Sequence, residues 1–276
     1  MIDAHQHFWN YDPVEYGWID DSMASLRHNF LPADLHADSS GSGVTGTVAV
    51  QARQTLTETQ WLLALAAENS FIRGVVGWAP IGTSLFPQLL EKLVDNPKLV
   101  GLRHVVQAEA DGFLAAAAFN HGIWALGTTR LVYDILIFER QLSQAIEFVD
   151  RHPNQIFVLD HIAKPRIAES RLEPWGANIM ELARRENVYC KLSGMVTEAD
   201  WHSWTSASLR PYVHVVLEAF SPRRLMVGSD WPVCTVACSY GRWFEALDQL
   251  LAELSSEERE RIFTGTAIEA YRLEGD

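Results

Sequence analysis

The chain has 276 residues, 48% of them hydrophobic, and a formal net charge of −13, with a sequence pI near 5.2. That much apolar material supports a large core and excludes intrinsic disorder. The acidity argues against a nucleic-acid partner, which wants a basic stripe, and no apolar run is long enough to span a membrane.

The first predicted strand covers 2–8 and places Asp3, His5 and His7 on one face, since alternate strand residues point the same way. A long connection rich in Trp and Tyr follows, from Trp9 to Thr45, more than a plain strand–helix unit needs. Next come a strand at 46–52, a helix at 57–70, a strand at 72–79, a helix at 84–96, a strand at 100–106 and a helix at 111–126. The strand at 131–138 is apolar almost throughout, as expected of a parallel strand covered on both faces. A helix at 141–152 and a strand at 156–161 lead to a helix at 174–186, where Pro174 suits the first turn. After a strand at 188–192, a helix at 209–220 and a strand at 224–229, the chain ends in helical stretches at 240–254 and 257–273. Ser255 with Glu258 three residues on reads as a capping box for the second.

Eight strands alternating with helices point to a (β/α)8 TIM-like barrel with a long aromatic-rich loop after its first strand. An open doubly wound sheet would want a Gly-rich phosphate turn there, and His7-Phe8-Trp9-Asn10 stands in its place. No Pro/Ser-rich linker, charge block or low-complexity tract divides the chain, so 1–276 reads as one domain. Cys190, Cys234 and Cys238 cannot all pair and lack zinc spacing. They read as reduced thiols in a cytoplasmic protein, and His5 and His7 stand where the charged start of a leader peptide would be. The composition leaves a homo-oligomer open.

In such a barrel the chemistry sits at the carboxyl ends of the strands. Those ends carry His5 and His7, then Gln51 and Arg53, Trp78, Arg103 and His104, Tyr133 and Asp134, His161 with Lys164, Lys191 and Ser193, and last Asp230. Random strand ends would seldom bring so many polar and titratable groups to one rim. Asp230 is the expected general base because it lies at the centre of the histidine cluster, although it also reads as a loop cap before Trp231-Pro232. Glu198 is a second titratable candidate, or a helix-initiating carboxylate. Arg103 and His104 are both candidates to hold a substrate carbonyl oxygen or hydroxyl through charge-assisted bonds; because adjacent strand residues face opposite ways, His104 is favoured near the carbonyl with Arg103 on a neighbouring carboxylate. His161 reads as catalytic or as a satisfied core histidine, and Lys164 and Lys191 as ion-pair partners. Among ten tryptophans, Trp9, Trp18, Trp78 and Trp231 sit at or near predicted strand ends, where a substrate ring could lie on an aromatic face, and Gln51 and Tyr133 complete the expected substrate contacts. No GxSxG signature or Walker loop is present, which disfavours a covalent acyl-enzyme.

His5-Gln6-His7 on the first strand with Asp230 on the eighth resembles the amidohydrolase superfamily, in its amidohydrolase-related branch. Asp3-Ala4-His5-Gln6-His7-Phe8-Trp9, Gly101-Leu102-Arg103-His104, Leu159-Asp160-His161, Lys164-Pro165, Cys190-Lys191-Leu192-Ser193-Gly194 and Gly228-Ser229-Asp230-Trp231-Pro232-Val233 narrow the resemblance to the sugar-lactonase subgroup. It covers 2 to about 240 and implies hydrolysis of a lactone such as L-fuconolactone or L-rhamnonolactone, in sugar catabolism. Two-metal members carry a bridging Lys or Glu on the fourth strand, where this chain has Arg103 and His104, so the resemblance implies one divalent metal, zinc or manganese, on His5, His7, His161 and Asp230, or none. The expected partner is a small sugar lactone. Alternatives on the same barrel are a lactonase for an aromatic-pathway intermediate, a metal-dependent decarboxylase, which would want histidines on both the fifth and sixth strands, and a non-catalytic binding barrel.

Overall fold

The computed structural model describes residues 1–274. Its eight strands are β1 (Ile2–Gln6), β2 (Gly46–Val50), β3 (Ile72–Gly77), β4 (Leu99–His104), β5 (Val132–Ile135), β6 (Phe157–Leu159), β7 (Val188–Leu192) and β8 (Leu225–Val227). They pair in parallel and in chain order. The seam between β1 and β8 is closed just past the strand ends, where His7 N donates to Trp231 O at 2.7 Å and Asp230 N to His5 O at 2.8 Å. This is the predicted (β/α)8 barrel.

The helices are α1 (Pro32–Asp38), α2 (Leu56–Glu68), α3 (Phe86–Leu93), α4 (Ala117–Leu126), α5 (Leu142–Arg151), α6 (Trp175–Leu182), α7 (Ser206–Phe220), α8 (Tyr240–Leu250), α9 (Ser256–Glu260) and α10 (Thr266–Tyr271). Side-chain caps set several starts: Thr55 accepts from Glu58 N at α2, and the expected box of Ser255 and Glu258 opens α9. Sequence periodicity starts α4 six residues early, because 106–116 winds into two short 3-10 turns interrupted by Gly112 at φ 86°. It misses α1, which lies inside the long loop after β1. It also starts α7 late, since the Thr205 capping box lies upstream of the apolar stripe.

Apolar side chains form two separate bodies. The larger fills the layer between strands and helices; Tyr133, Phe119, Phe148 and Phe157 meet there edge-on or stacked. The smaller fills the barrel floor with Ile2, Val48, Val76, Val132, Val158 and Met226, and it is plugged by Ala270 and Tyr271 of α10 and by Leu273 just beyond. No helix among the described residues is long and apolar enough to cross a membrane.

Candidate active site

Above the floor the lumen turns from apolar to charged. His5 and His7 both face this volume, with Nε2 atoms 3.3 Å apart. Asp3 does not, contrary to the expectation that all three share a face. The pairing of β1 with β2 shifts between Asp3 and Gln6, and the Asp3 carboxylate turns to Ser229 N (2.8 Å), Ser229 Oγ (2.6 Å) and Tyr240 Oη (3.0 Å). Burial pushes that carboxyl up to about 6 against those bonds. It ties β1 to β8 and α8, leaving the imidazoles to the site.

Asp230 enters from the opposite side of the seam. Its φ of 58°, a left-handed value unusual for a residue with a side chain, brings Oδ1 to 3.4 Å from His7 Nε2, 3.8 Å from His161 Nε2 and 3.9 Å from His5 Nε2. Burial alone would raise this carboxyl, but the imidazoles of His161, His7 and His5 overcome it and hold it well below the usual carboxylate range. Asp230 is therefore ionised at neutral pH, as a base must be.

His161 arrives by a local backbone device. Residues 161–164 have φ values of 54°, 49°, 62° and 49°, a left-handed turn that costs about 1–2 kcal/mol per residue. Trp175 Nε1 pins it by donating to Ile162 O at 2.7 Å. The reversal lets Asp160 and His161, neighbours in sequence, both contribute to the site. His161 Nδ1 meets Ser193 Oγ at 2.8 Å, and burial lowers the imidazole to about 4, so it is neutral at neutral pH.

Beneath His5 lies a buried charge network that sequence reasoning recognised only in part. Lys191 Nζ is 2.6 Å from Asp134 Oδ2, 3.0 Å from Asp160 Oδ1 and 3.3 Å from His5 Nδ1. Arg103 Nη1 is 2.9 Å from Asp160 Oδ2 and 3.2 Å from His5 Nε2. Burial works against the charge of Asp160, yet Lys191, His5 and Arg103 hold it well below the ordinary range. The expected roles of Arg103 on a carboxylate and Lys191 as an ion-pair partner match these contacts. Asp160 itself was missed, although it shares a strand face with Val158, two residues before it, which points into the lumen.

Other expected site residues are placed differently. His104 faces outward, stacked at 4.7 Å on Phe113 and packed against Phe119. Its Nδ1 accepts from Trp78 Nε1 at 3.2 Å and its Nε2 meets Glu109 at 2.7 Å, so neither nitrogen is free for a carbonyl. The reason is the strand alternation that sends Arg103 inward. Tyr133 is fully buried in the outer aromatic layer and contacts no ligand space, because Asp134 takes the inward position. Trp9 and Trp231 are also fully buried; Trp9 Nε1 donates to His28 O at 2.9 Å and Trp231 Nε1 to Asp38 Oδ2 at 2.8 Å, and both rings meet Phe30 edge-on, so neither offers a face to a sugar. Arg103 is 3% exposed, too enclosed to reach far toward a ligand. Gln51 is buried with Nε2 donating to Arg103 O at 3.3 Å, while its Oε1 has no hydrogen-bond partner. Trp78 is half-buried and Trp18 exposed, edge-on to Trp9. At the rim, Glu198 Oε1 lies 3.7 Å from Lys164 Nζ, and burial raises its carboxyl against that cation.

The donor set fits one cation. His5, His161 and Asp230 offer ligand atoms within 4.8 Å of one another. His7 Nδ1 faces Val50 O at 2.8 Å, and a carbonyl only accepts, so a ring proton sits there and Nε2 is turned toward Asp230 Oδ1 across 3.4 Å. Imidazole nitrogens with one carboxylate oxygen are the ligand types that zinc takes.

A family model described as amidohydrolase matches residues 2–273. A protein named L-fucono-1,5-lactonase from Burkholderia multivorans is 41% identical, over 99% of this chain and 96% of its own length. One of the same name from Burkholderia ambifaria is 36% identical over the same shares. A crystal structure of an amidohydrolase from Burkholderia multivorans with bound zinc superimposes with a TM-score of 0.95 at 40% identity, covering 99% of both chains.

Proposed function

The chain belongs to the amidohydrolase family, and on that footing we propose that it hydrolyses a sugar lactone, L-fucono-1,5-lactone or a close aldonolactone, to the aldonic acid. The observation that carries this is the 41% identity over 99% of the chain to a protein named for that reaction. The site chemistry agrees with it. Asp230 takes a proton from water, the resulting hydroxide adds to the lactone carbonyl carbon, and the bond from that carbon to the ring oxygen breaks. The departing oxygen takes its proton back from the Asp230 carboxyl, with Glu198 as a second donor whose raised carboxyl suits the task.

A single zinc or manganese ion would be held by His5, His7, His161 and Asp230, and when bound it would polarise the carbonyl and acidify water. Lactones are activated esters, so a carboxylate base with fixed donors suffices, and the metal is dispensable for this reaction. Two alternatives lose ground. A lactone bearing several carboxylates needs free cations at the rim, but Arg53 is paired with Glu15 and Glu58, Arg103 with Asp160 and Lys164 with Glu198. A metal-dependent decarboxylase wants a fifth-strand histidine ligand, and Asp134 there is tied to Lys191 and Tyr271 instead.

We propose further that it serves L-fucose catabolism in the cytoplasm, acting on a small molecule without nucleic-acid or membrane partners, with a homo-oligomer as an assembly open to it. Opening of a panel of sugar and aromatic-pathway lactones, followed with a pH indicator, tests it. Fastest turnover on L-fucono-1,5-lactone or a related aldonolactone is expected. Inertness toward every sugar lactone would overturn the reading.

A further inference from the structure

The floor of the barrel and the site above it are joined by one side chain from the far end of the sequence. Helix α10 is held against the strands by Glu269, which accepts from Tyr189 Oη on β7 at 3.0 Å and pairs with Arg261 at 2.7 Å. Its small residues Ala267 and Ala270 let it approach the lumen, and Leu273 beyond it packs where Gly74 lacks a side chain: a Cβ there would lie 3.1 Å from Leu273. This arrangement drives Tyr271 upward through the apolar floor. Its hydroxyl donates to Asp134 Oδ2 at 2.7 Å, and its ring lies under Lys191 with the ammonium 5.2 Å from the ring centre.

Asp134 has two partners and both use the same oxygen; Oδ1 has none. Tyr271 therefore supplies one of the two bonds that fix this carboxylate, and Asp134 in turn fixes the ammonium that lies 3.3 Å from His5 Nδ1 and 3.0 Å from Asp160 Oδ1, the oxygen that itself faces His5 Nδ1 at 3.3 Å. All five groups are buried, so water cannot substitute for a lost contact, and each removal is felt by the next group along. The column runs Tyr271, Asp134, Lys191, His5, from the C-terminal helix to a histidine that faces Asp230.

We propose that Tyr271 is a positioning residue of the active site, which through Asp134 and Lys191 holds the His5 imidazole in its working orientation. The rate arm of the test rests on the lactonase reading above; the spectroscopic arm does not. Tyr271→Phe keeps the ring that packs in the floor and removes only the hydroxyl. Its kcat for L-fucono-1,5-lactone is expected to fall about tenfold with KM within about twofold, as for loss of an outer partner that orients an active-site histidine. The side-chain 15N resonances of His5 in the folded variant should move, while those of His152, which ends α5 and meets Asn120 Oδ1 at 2.8 Å, stay in place. Asp134→Asn, which removes the charge that anchors Lys191, should shift the same His5 resonances and lower kcat in the same sense.

Unchanged kcat and unchanged His5 resonances in folded Tyr271→Phe, with only a lower melting temperature, would overturn the proposal. So would a rise in KM at constant kcat, or failure of both variants to fold, since the column would then serve stability alone. Wild-type protein inert toward the lactone removes the functional reading, whereas the His5 resonances still decide the positioning role.

Discussion

Replacing Gly194 by alanine tests how tightly the site is built. Gly194 follows β7 at φ +61°, and a Cβ there would lie 2.5 Å from His161 Nδ1 and 2.7 Å from its Cγ. Comfortable contact begins near 3.5 Å, so the imidazole must retreat by about 1 Å. Retreat stretches the 2.8 Å contact of Nδ1 with Ser193 Oγ and carries Nε2 away from Asp230. A displacement of about 1 Å at a reacting group costs on the order of 10²-fold in rate. The left-handed backbone adds about 1–2 kcal/mol of lost stability for a residue with a Cβ. Turnover of the lactone by indicator assay, read beside a thermal melt, should show a folded protein with a modestly lower Tm and kcat down about 10²-fold. Gly241→Ala is the control, because a Cβ there meets nothing within 4 Å. Wild-type turnover in Gly194→Ala would refute the assignment of His161 to the working site.

Three further outcomes follow from the same geometry. Asp230→Asn should fold normally and lose roughly 10²–10⁴-fold in kcat, the range for a missing general base; a binding barrel without catalysis would tolerate the change, and near-full activity would remove Asp230 from that role. Glu58, buried at the first turn of α2 where it accepts from Ala52 N and Arg53 N, has its carboxyl pushed by burial from 4.5 up to about 7. The folded state thus holds this proton more tightly than the unfolded chain, and the benefit, about 3 kcal/mol, is full below 4.5 and lost as pH rises through 7. The stability of wild type minus that of Glu58→Gln, from urea unfolding, should decline by that amount across the window; a flat difference would count against it. Elemental analysis should find at most one tightly held divalent ion per chain, and chelator-stripped protein should open a neutral sugar lactone at a comparable rate, whereas loss of activity restored by zinc or manganese would show the metal to be essential.

The barrel was legible because parallel strands covered on both faces leave long apolar runs that sequence pattern detects. Convergence of His5, His7, His161 and Asp230 was legible because barrel strand ends share one rim. What failed did so where a single residue of register decides the face. By sequence His104 and Tyr133 read as rim groups, but Arg103 and Asp134 occupy the inward positions and send their neighbours into the outer layer. Asp3 was grouped with the histidines because the shift in β1 pairing leaves no mark in composition. Asp160 stood within a motif already noted, yet adjacent Asp and His can both serve one site only through a left-handed turn, and no glycine announces it. The contribution of Tyr271 was illegible for another reason: nothing local to α10 says that its last turn rises into the lumen.

The seam that closes the barrel also assembles the reaction centre, and this has a consequence for biosynthesis. Ser229 and Asp3, 226 positions apart, bond across it, and Asp230 is anchored there by His5 O. A nascent chain that has emerged through its seventh strand carries all three imidazoles but neither the base nor the closing strand. Catalytic output therefore counts only finished cylinders: a ribosome-bound fragment, a truncated product or a barrel sprung open at its first strand is silent, whatever helical content it retains. Recovery of turnover during refolding would accordingly report the meeting of the first strand with the eighth.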